Sequence, residues 1–268
     1  MTSLHYVAFP SLHETPLSIP ARFRVPDREG RLPAVIILHG SAGPTEREGG
    51  YAGPLNEAGF VTIEPDQWSP RGLAGGSSGR PRTIHETLPD LYGARAFLAA
   101  HPKVDAQRIG VLGFSFGAVA AMLAATKAVN ATFLDAAHFA AFMPVYPVCH
   151  LYNRVPGFEF ADLVPAPVLI VTGSLDGYDN DPDAGPALVR SLSPLDRMKV
   201  RTAVVHGAHH GFDMPGVNMQ VEDPAGNRGA GGLVTMAYDA EAAERTHGLA
   251  VLFFGEAKPN PGSAPPER

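Results

Sequence analysis

The sequence has one cysteine, Cys149, and no stretch rich in positive charge. A single cysteine cannot form a disulfide within the chain, so the predicted fold does not depend on an oxidising compartment. Charged residues make up only 18% of the 268 residues, the net charge is −6, and the arginines are scattered. Because no basic patch would concentrate nucleic acid, we do not expect nucleic acid as a partner.

Long hydrophobic runs are also missing. No apolar run approaches the roughly 20 residues that a membrane-spanning helix needs, so no membrane partner is expected. Residues 1–20 contain prolines and histidines and lack a basic stretch followed by an apolar core, which predicts no secretory signal. The expectation is therefore a cytoplasmic protein. No pattern indicates its oligomeric state.

The apolar content is high enough for a large core, because 45% of the residues are hydrophobic. We predict a single α/β domain over residues 1–257. Residues 258–268 contain four prolines and are expected to form a flexible tail.

Short apolar runs alternate with helical stretches along the chain. Six runs predict parallel strands covered on both faces, and an earlier strand is expected at 17–25. The six runs are residues 33–38, 60–63, 109–112, 139–145, 168–172 and 200–205. Helices are expected at residues 51–58, 84–100, 115–128, 186–192 and 240–254. This alternation predicts an open, mostly parallel sheet with helices on both faces.

Two stretches interrupt this alternation. Residues 68–82 are rich in glycine and contain three arginines, and residues 213–233 are rich in Gly, Pro, Asn and Asp. Either could cover a site at the strand ends as a lid, or form a solvent-exposed loop with no functional role. The glycine-rich part lacks the Gly-Lys-Ser/Thr ending of a phosphate-binding loop.

The most informative motif is Gly113-Phe-Ser115-Phe-Gly117, which joins an apolar strand to an alanine-rich helix. A Gly-x-Ser-x-Gly turn in this context exposes a serine hydroxyl that a neighbouring base can activate. Two later strand ends provide the other groups that such a serine needs. Asp176 follows the strand predicted at 168–172, and His209 and His210 follow the strand at 200–205. The order Ser, Asp, His is the order found in open α/β hydrolases.

Other interpretations of these residues remain open. Asp179 is an alternative carboxylate for orienting the histidine. His206, His209 and His210, with Asp213, could instead bind a metal ion, although their spacing does not match a helical His-Glu-x-x-His site. A chain with this fold could also be a catalytically silent binding protein, because fold alone does not establish function.

Taken together, these motifs resemble the dienelactone hydrolase family of the α/β-hydrolase superfamily. The resemblance covers nearly all of residues 33–254. It rests on the segments Leu38–Gly43, Glu64–Trp68, Gly113–Gly117, Gly173–Asp176, Gly207–Phe212 and Ala237–Ala243. It implies an α/β-hydrolase fold. One departure is Ser115, which stands where the namesake enzymes carry cysteine, so the resemblance is to serine-bearing members of the family.

The resemblance also implies roles for individual residues. Ser115 matches the nucleophile, Asp176 the orienting acid and His210 the base. The backbone amides of Ser41 and Phe116 match the two oxyanion donors.

The same resemblance extends to the substrate. It implies that Arg71 binds a substrate carboxylate. From their positions near strand ends or catalytic residues, several aromatic side chains are candidate pocket walls: Trp68, Phe114, Phe116, Phe142, Tyr146, Tyr178 and Phe212. The predicted function is hydrolysis of a small carboxylic ester or lactone through an acyl-enzyme, without a metal or organic cofactor. A thioesterase or peptidase using the same three residues is the alternative.

Overall fold

The computed structural model describes residues 1–134 and 137–257, so the predicted tail lies outside the described residues. The strands are β1 (Thr2–Pro10), β2 (Ser18–Pro26), β3 (Leu32–Leu38), β4 (Val61–Pro65), β5 (Val104–Phe114), β6 (Phe142–Val145), β7 (Val168–Gly173), β8 (Val200–Val205), β9 (Asn218–Glu222) and β10 (Leu233–Ala237). The helices are α1 (Arg47–Glu57), α2 (Leu88–Ala100), α3 (Phe116–Ala124), α4 (Lys127–Phe133), α5 (Ala184–Ser191), α6 (Pro194–Arg197), α7 (Gly226–Gly229) and α8 (Ala240–Glu256).

Eight strands form the central sheet in the order β1-β2-β4-β3-β5-β6-β7-β8. The pairs from β4 to β8 are parallel, whereas β1 and β2 extend one edge in antiparallel pairing. All six predicted parallel strands are confirmed. Because the strands from β3 to β8 run in the same direction, their carboxyl ends meet at one edge, where an open sheet of this type carries its site.

The sheet has a hydrophobic core on each face, as its continuous apolar strands require. In β3, Ala34 and Ile36 belong to one core, and Val35 and Ile37 belong to the other. Helices α2, α3 and α5 cover the first face, and α1 and α8 cover the second. The structure therefore has the α/β-hydrolase fold with helices on both faces.

Several boundaries differ from the prediction. The predicted helix at 115–128 is two helices, because Thr126 begins α4 by accepting a hydrogen bond from the Val129 amide. The predicted helix at 84–100 is a 3₁₀ turn (Ile84–Glu86) followed by α2. Strand β6 is shorter than the apolar run at 139–145.

The two largest differences between the predicted and the observed secondary structure lie outside the six predicted parallel strands. Residues 213–233, which interrupt the predicted alternation, contain β9, and β9 pairs with β10 as an antiparallel hairpin. Strand β1 was not predicted, and most of its residues are exposed at the edge of the sheet. Among the described residues, no helix combines the length and apolar character that crossing a membrane requires.

Candidate active site

Ser115 lies in a strained turn between β5 and α3. Its backbone has φ 49° and ψ −112°, a conformation that side-chain-bearing residues rarely adopt. The flanking glycines allow this turn because the backbone packs too closely for a side chain. A Cβ on Gly113 would lie 2.2 Å from the Gly117 carbonyl oxygen, and a Cβ on Gly117 would lie 2.5 Å from the His39 carbonyl oxygen. The turn thus presents the serine at the carboxyl edge of the sheet.

A continuous hydrogen-bonded chain links three residues from three strand ends. The Nε2 atom of His210 lies 2.9 Å from Ser115 Oγ, and its Nδ1 atom lies 2.8 Å from Asp176 Oδ2. Asp176 follows β7, and His210 follows β8. The structure therefore brings together the three residues that the resemblance singled out, with the imidazole between the hydroxyl and the carboxylate. Such an arrangement can accept a proton from the serine and stabilise the charged imidazole.

The imidazole of His210 is buried between two tyrosine rings. The Tyr178 and Tyr146 ring centroids lie 4.2 Å and 4.6 Å from that of His210. The remaining oxygen of Asp176, Oδ1, accepts a hydrogen bond of 2.9 Å from the Tyr178 amide. These contacts fix both the ring and the carboxylate.

The loop after β3 passes directly beside the serine. A Cβ on Gly40 would lie 3.5 Å from the Cβ of Ser115, so the loop runs within van der Waals contact distance of the serine. Next to it, the Ser41 carbonyl accepts hydrogen bonds from Trp68 Nε1 at 3.0 Å and from the Gly76 amide at 2.7 Å. Phe116 is the first residue of α3, where backbone amides have no partner within the helix.

Two cavities reach Ser115. The first has a volume of about 580 Å³ and is bordered by the loop after β3, by residues 74–78 and by the β9–β10 hairpin. The second has a volume of about 290 Å³ and is mainly apolar. Its apolar walls are Ile84, Phe116, Val119, Val148, Leu151 and Phe158. Both stretches considered as lids therefore contribute to the walls of the site.

A buried charged cluster lies under the first cavity. Arg47 forms an ion pair with Glu48 and donates a hydrogen bond of 3.1 Å to the Tyr146 hydroxyl. That hydroxyl donates to Asp213, which also accepts a hydrogen bond of 2.6 Å from Tyr51. Burial alone would lower the pKa of Arg47, but Tyr146, Glu48 and Asp213 raise it above its usual value. Arg47 therefore stays charged beneath the site.

Arg71, which the family resemblance implies as a binder of a substrate carboxylate, is engaged by other residues of this chain, and its role with substrate stays a prediction. Its guanidinium forms a bidentate ion pair with Asp90, with Nη1···Oδ2 and Nη2···Oδ1 distances of 2.8 and 3.1 Å, and it also donates to the carbonyls of Gln67 and Glu86. It lines neither cavity at Ser115. Three other arginines do line these cavities: Arg47 lines the first, and Arg80 and Arg82 line the second.

The aromatic candidates divide into two groups. Tyr146, Tyr178 and Phe116 line one or both cavities, as predicted. The other four are buried elsewhere and line neither cavity: Trp68, Phe114, Phe142 and Phe212. Trp68 supports the Ser41 loop, and the other three belong to the sheet's cores because strand residues next to a site point alternately toward and away from it.

The alternative metal site does not form among the described residues. No group of three His, Cys, Asp or Glu side chains there is placed to hold a metal ion. Asp213 is bonded to two tyrosine hydroxyls, His206 is exposed, and His210 is bonded to Asp176 and Ser115. Asp179 is also committed elsewhere, because it accepts hydrogen bonds from the Cys149 and His150 amides.

Sequence reasoning missed four charged residues at or beneath the site. Arg47 and Glu48 are adjacent in a helix start, where charged residues usually face solvent. Arg80 and Asp223 are separated by 143 positions, and only the fold brings them together. No local pattern in the sequence could have found that pair.

Comparison with known proteins identifies the family. The model of the dienelactone hydrolase family matches residues 19–258. The chain belongs to the dienelactone hydrolase family. A curated relative from Bradyrhizobium, named "Probable 2-oxo-3-(5-oxofuran-2-ylidene)propanoate lactonase", is 35% identical over 103 residues. That match covers 36% of this chain and 42% of the relative, so the chain spans less than half of the relative's length.

Solved structures of family members share the fold. A dienelactone hydrolase-like promiscuous phosphotriesterase from metagenomic libraries is 19% identical, with a TM-score of 0.66, covering 96% of this chain and 98% of that one. A dienelactone hydrolase from Anabaena variabilis is 17% identical, with a TM-score of 0.59 and the same coverage of each chain. At this identity the likeness shows the fold alone. With the family match, it identifies the chain as a dienelactone hydrolase-like hydrolase.

Proposed function

We propose that this protein hydrolyses carboxylic esters, small esters or lactones, through a serine acyl-enzyme. The observation that carries the proposal is the hydrogen-bonded chain from Asp176 through His210 to Ser115. The lactonase name of the Bradyrhizobium relative is consistent with an ester bond as the substrate. No metal or organic cofactor is needed for this reaction.

In the proposed reaction, His210 takes the proton of Ser115 as the serine oxygen forms a bond to the ester carbonyl carbon. Asp176 holds the imidazole in the required tautomer and stabilises its positive charge. His210 then gives its proton to the departing alcohol oxygen as the carbon–oxygen bond breaks. A water molecule, deprotonated by the same imidazole, attacks the acyl-enzyme and releases the acid.

The developing negative charge on the carbonyl oxygen needs donors that are already in place. We assign this role to the backbone amides of Ser41 and Phe116, which flank the serine from the loop after β3 and from the start of α3. Loss of one such donor typically lowers kcat by about 10²–10³-fold. The hydrogen bonds to the Ser41 carbonyl hold the first donor in place.

Thioester and peptide hydrolysis would use the same groups. Matches to larger peptidases cover only part of those proteins; for the dipeptidyl peptidase 4 of Porphyromonas gingivalis, the matched part is 36% of that chain at 16% identity. No contact among the residues that the structure describes favours an amide over an ester. We therefore place esters first, and we predict a cytoplasmic enzyme.

Labelling with a fluorophosphonate tests the proposal most directly, because this reagent modifies only activated serines. We expect Ser115 to be labelled, as read by peptide mass, and p-nitrophenyl acetate to be hydrolysed. Ser115→Ala should abolish both signals in a folded protein. Absence of labelling and of ester turnover in the wild-type protein would favour a catalytically silent binding protein.

The two adjacent histidines supply a matched control. His210→Gln should remove turnover, whereas His209→Gln should retain it, because only His210 contacts Ser115 and Asp176. Turnover should also survive a chelator. The opposite result for the two histidines would move the proposed base to His209.

A further inference from the structure

The two cavities at Ser115 share only a narrow boundary. Within the described part of the chain, only Ser115 and Tyr178 line both of them. Ester hydrolysis places two different groups around the serine, the acyl group and the departing alcohol. A site with two separate cavities that meet at the nucleophile can hold one group in each.

A polar bridge forms the wall between the cavities. Arg80 donates to Ser41 Oγ at 2.8 Å and forms a bidentate ion pair with Asp223, with distances of 3.0 and 3.1 Å. Asp223 also accepts a hydrogen bond of 3.0 Å from the Tyr178 hydroxyl. Arg80 faces the second cavity and Asp223 the first. The bridge therefore runs above Ser115 from the loop after β3 to the loop after β7.

The position of the imidazole gives each cavity a different role. The departing oxygen must receive a proton from His210, so it must lie on the side of that ring. His210 lines the first cavity and does not line the second. The second cavity lies on the side of Phe116, away from the proton donor.

We infer that the second cavity binds the acyl group of the ester and the first cavity binds the alcohol. The inference rests on the proposed function and names the substrate class of the same site. The acyl cavity is the smaller one, at about 290 Å³ against about 580 Å³. Its walls are mainly apolar, and the polar side chains of Arg80, Arg82, Thr83 and His85 also line it. The substrate class is therefore an ester with a compact apolar acyl group and a larger alcohol.

Flexible side chains contribute to the walls of the alcohol cavity. Three methionines, Met214, Met219 and Met236, line it together with Ser77 and Glu222. Methionine side chains adapt to varied shapes, and the polar groups at the mouth can accept hydrogen bonds from alcohol hydroxyls. With its larger volume, this side can hold an alcohol group that is larger than the acyl group on the other side.

A set of three esters separates the two cavities. Methyl acetate is small on both sides, methyl hexanoate is large on the acyl side, and hexyl acetate is large on the alcohol side. Leu151→Trp would fill the acyl cavity, and Met219→Trp would fill the alcohol cavity with the same new side chain. Methyl acetate serves as the reference ester, so the kcat/KM of each variant for a long ester is compared with the kcat/KM of the same variant for methyl acetate.

Each variant is expected to lose activity toward only one of the two long esters, and the two variants are expected to differ in which ester that is. Leu151→Trp should lower kcat/KM for methyl hexanoate by at least about tenfold and leave hexyl acetate unchanged, and Met219→Trp should do the reverse. Losses in the opposite pairing, or equal losses for both long esters, would overturn the inference. Hydrolysis of none of the esters by the wild-type protein, with Ser115 unlabelled, would instead refute the proposed function itself.

Two smaller side chains keep the test decisive if a tryptophan variant does not fold. Leu151→Ala should raise kcat/KM for methyl octanoate relative to methyl acetate, and Met219→Ala should raise it for octyl acetate. As with the tryptophan variants, each alanine substitution must change kcat/KM only for the ester that is large on the side of the substituted residue. An equal response of both esters to either substitution would show that the cavities do not separate the two halves of the substrate.

Discussion

The Tyr146 hydroxyl lies 2.5 Å from Oδ1 of Asp213, while the ring of the same tyrosine packs 4.6 Å from the imidazole of His210. One side chain therefore contacts both the buried charged cluster and the proposed general base. Its hydroxyl also accepts a hydrogen bond from Arg47. The cluster thus supports the wall against which His210 packs.

Tyr146→Phe tests the strength of this link. The substitution keeps the ring but leaves Asp213 Oδ1 and one Arg47 nitrogen without this partner in a buried site. We expect the free energy of unfolding to fall by about 1–3 kcal/mol, the usual cost of an unsatisfied buried polar group. Urea unfolding measures it. Tyr6→Phe, on the exposed strand β1, is the control and should change stability by less than about 0.5 kcal/mol.

Asp176→Asn should inactivate the enzyme while leaving it folded. An amide can hold the imidazole in the wrong tautomer and cannot stabilise its positive charge, so we expect kcat to fall by about 10⁴-fold. Steady-state hydrolysis of p-nitrophenyl acetate measures the effect.

Asp179→Asn is the matched control for this carboxylate. Asp179 accepts hydrogen bonds from the Cys149 and His150 amides, so its replacement should lower stability and leave kcat close to the wild-type value. If Asp179→Asn abolished turnover and Asp176→Asn did not, the orienting carboxylate would be Asp179.

The positions of the three proposed catalytic residues could be predicted because each follows a strand with a clear local pattern. The apolar strands, the Gly-x-Ser-x-Gly turn and the order Ser, Asp, His are all properties of neighbouring residues. Parallel strands then bring their carboxyl ends together, and with them Ser115, Asp176 and His210. Local sequence patterns and the parallel strand topology were therefore sufficient to predict the sheet and the contacts among Ser115, His210 and Asp176.

The walls of the site could not be predicted in this way. Whether Phe114 or Tyr146 faces the cavity depends on the direction in which each side chain points at its strand end. A shift of one residue along a strand reverses that direction. The partner of Arg71 is Asp90 on α2, and the partner of Arg80 is Asp223, which precedes α7. These pairings depend on loop conformations that no sequence period encodes.

Arg71→Met should therefore destabilise the protein without affecting substrate binding. Asp90 is fully buried, and removal of its arginine leaves a buried carboxylate without its ion-pair partner. We expect a loss of about 3–5 kcal/mol in the free energy of unfolding, with KM for neutral and anionic esters unchanged. The exposed Arg31→Met serves as the control and should alter neither quantity.

A contrary outcome would revive the role that the family resemblance implies. If Arg71→Met raised KM for an ester carrying a carboxylate at least about tenfold, a ground-state binding contact would have been lost. Unchanged stability in the same variant would show that Asp90 does not depend on this arginine.

Acid should destabilise the protein partly through Glu48. Burial alone would raise the pKa of Glu48, but its ion pair with Arg47 and its hydrogen bond from the Thr45 amide hold the pKa below the usual value of 4.5. A lowered pKa in the folded state means that the unfolded chain binds more protons near pH 4. This contribution to stability is therefore present above about pH 4.5 and is lost as the pH falls through the folded pKa.

Glu48→Gln isolates that contribution, because glutamine has a similar shape and no titratable group. The variant should be less stable at pH 7, where Arg47 loses its charged partner, and its unfolding free energy should decline less steeply than that of the wild type between about pH 5 and pH 3. Urea unfolding at each pH measures both slopes. Glu241→Gln, at an exposed site on α8, should retain the wild-type slope. Equal slopes for Glu48→Gln and the wild type would mean that Glu48 titrates alike in the folded and unfolded chains, so the buried pair with Arg47 would contribute nothing to acid stability.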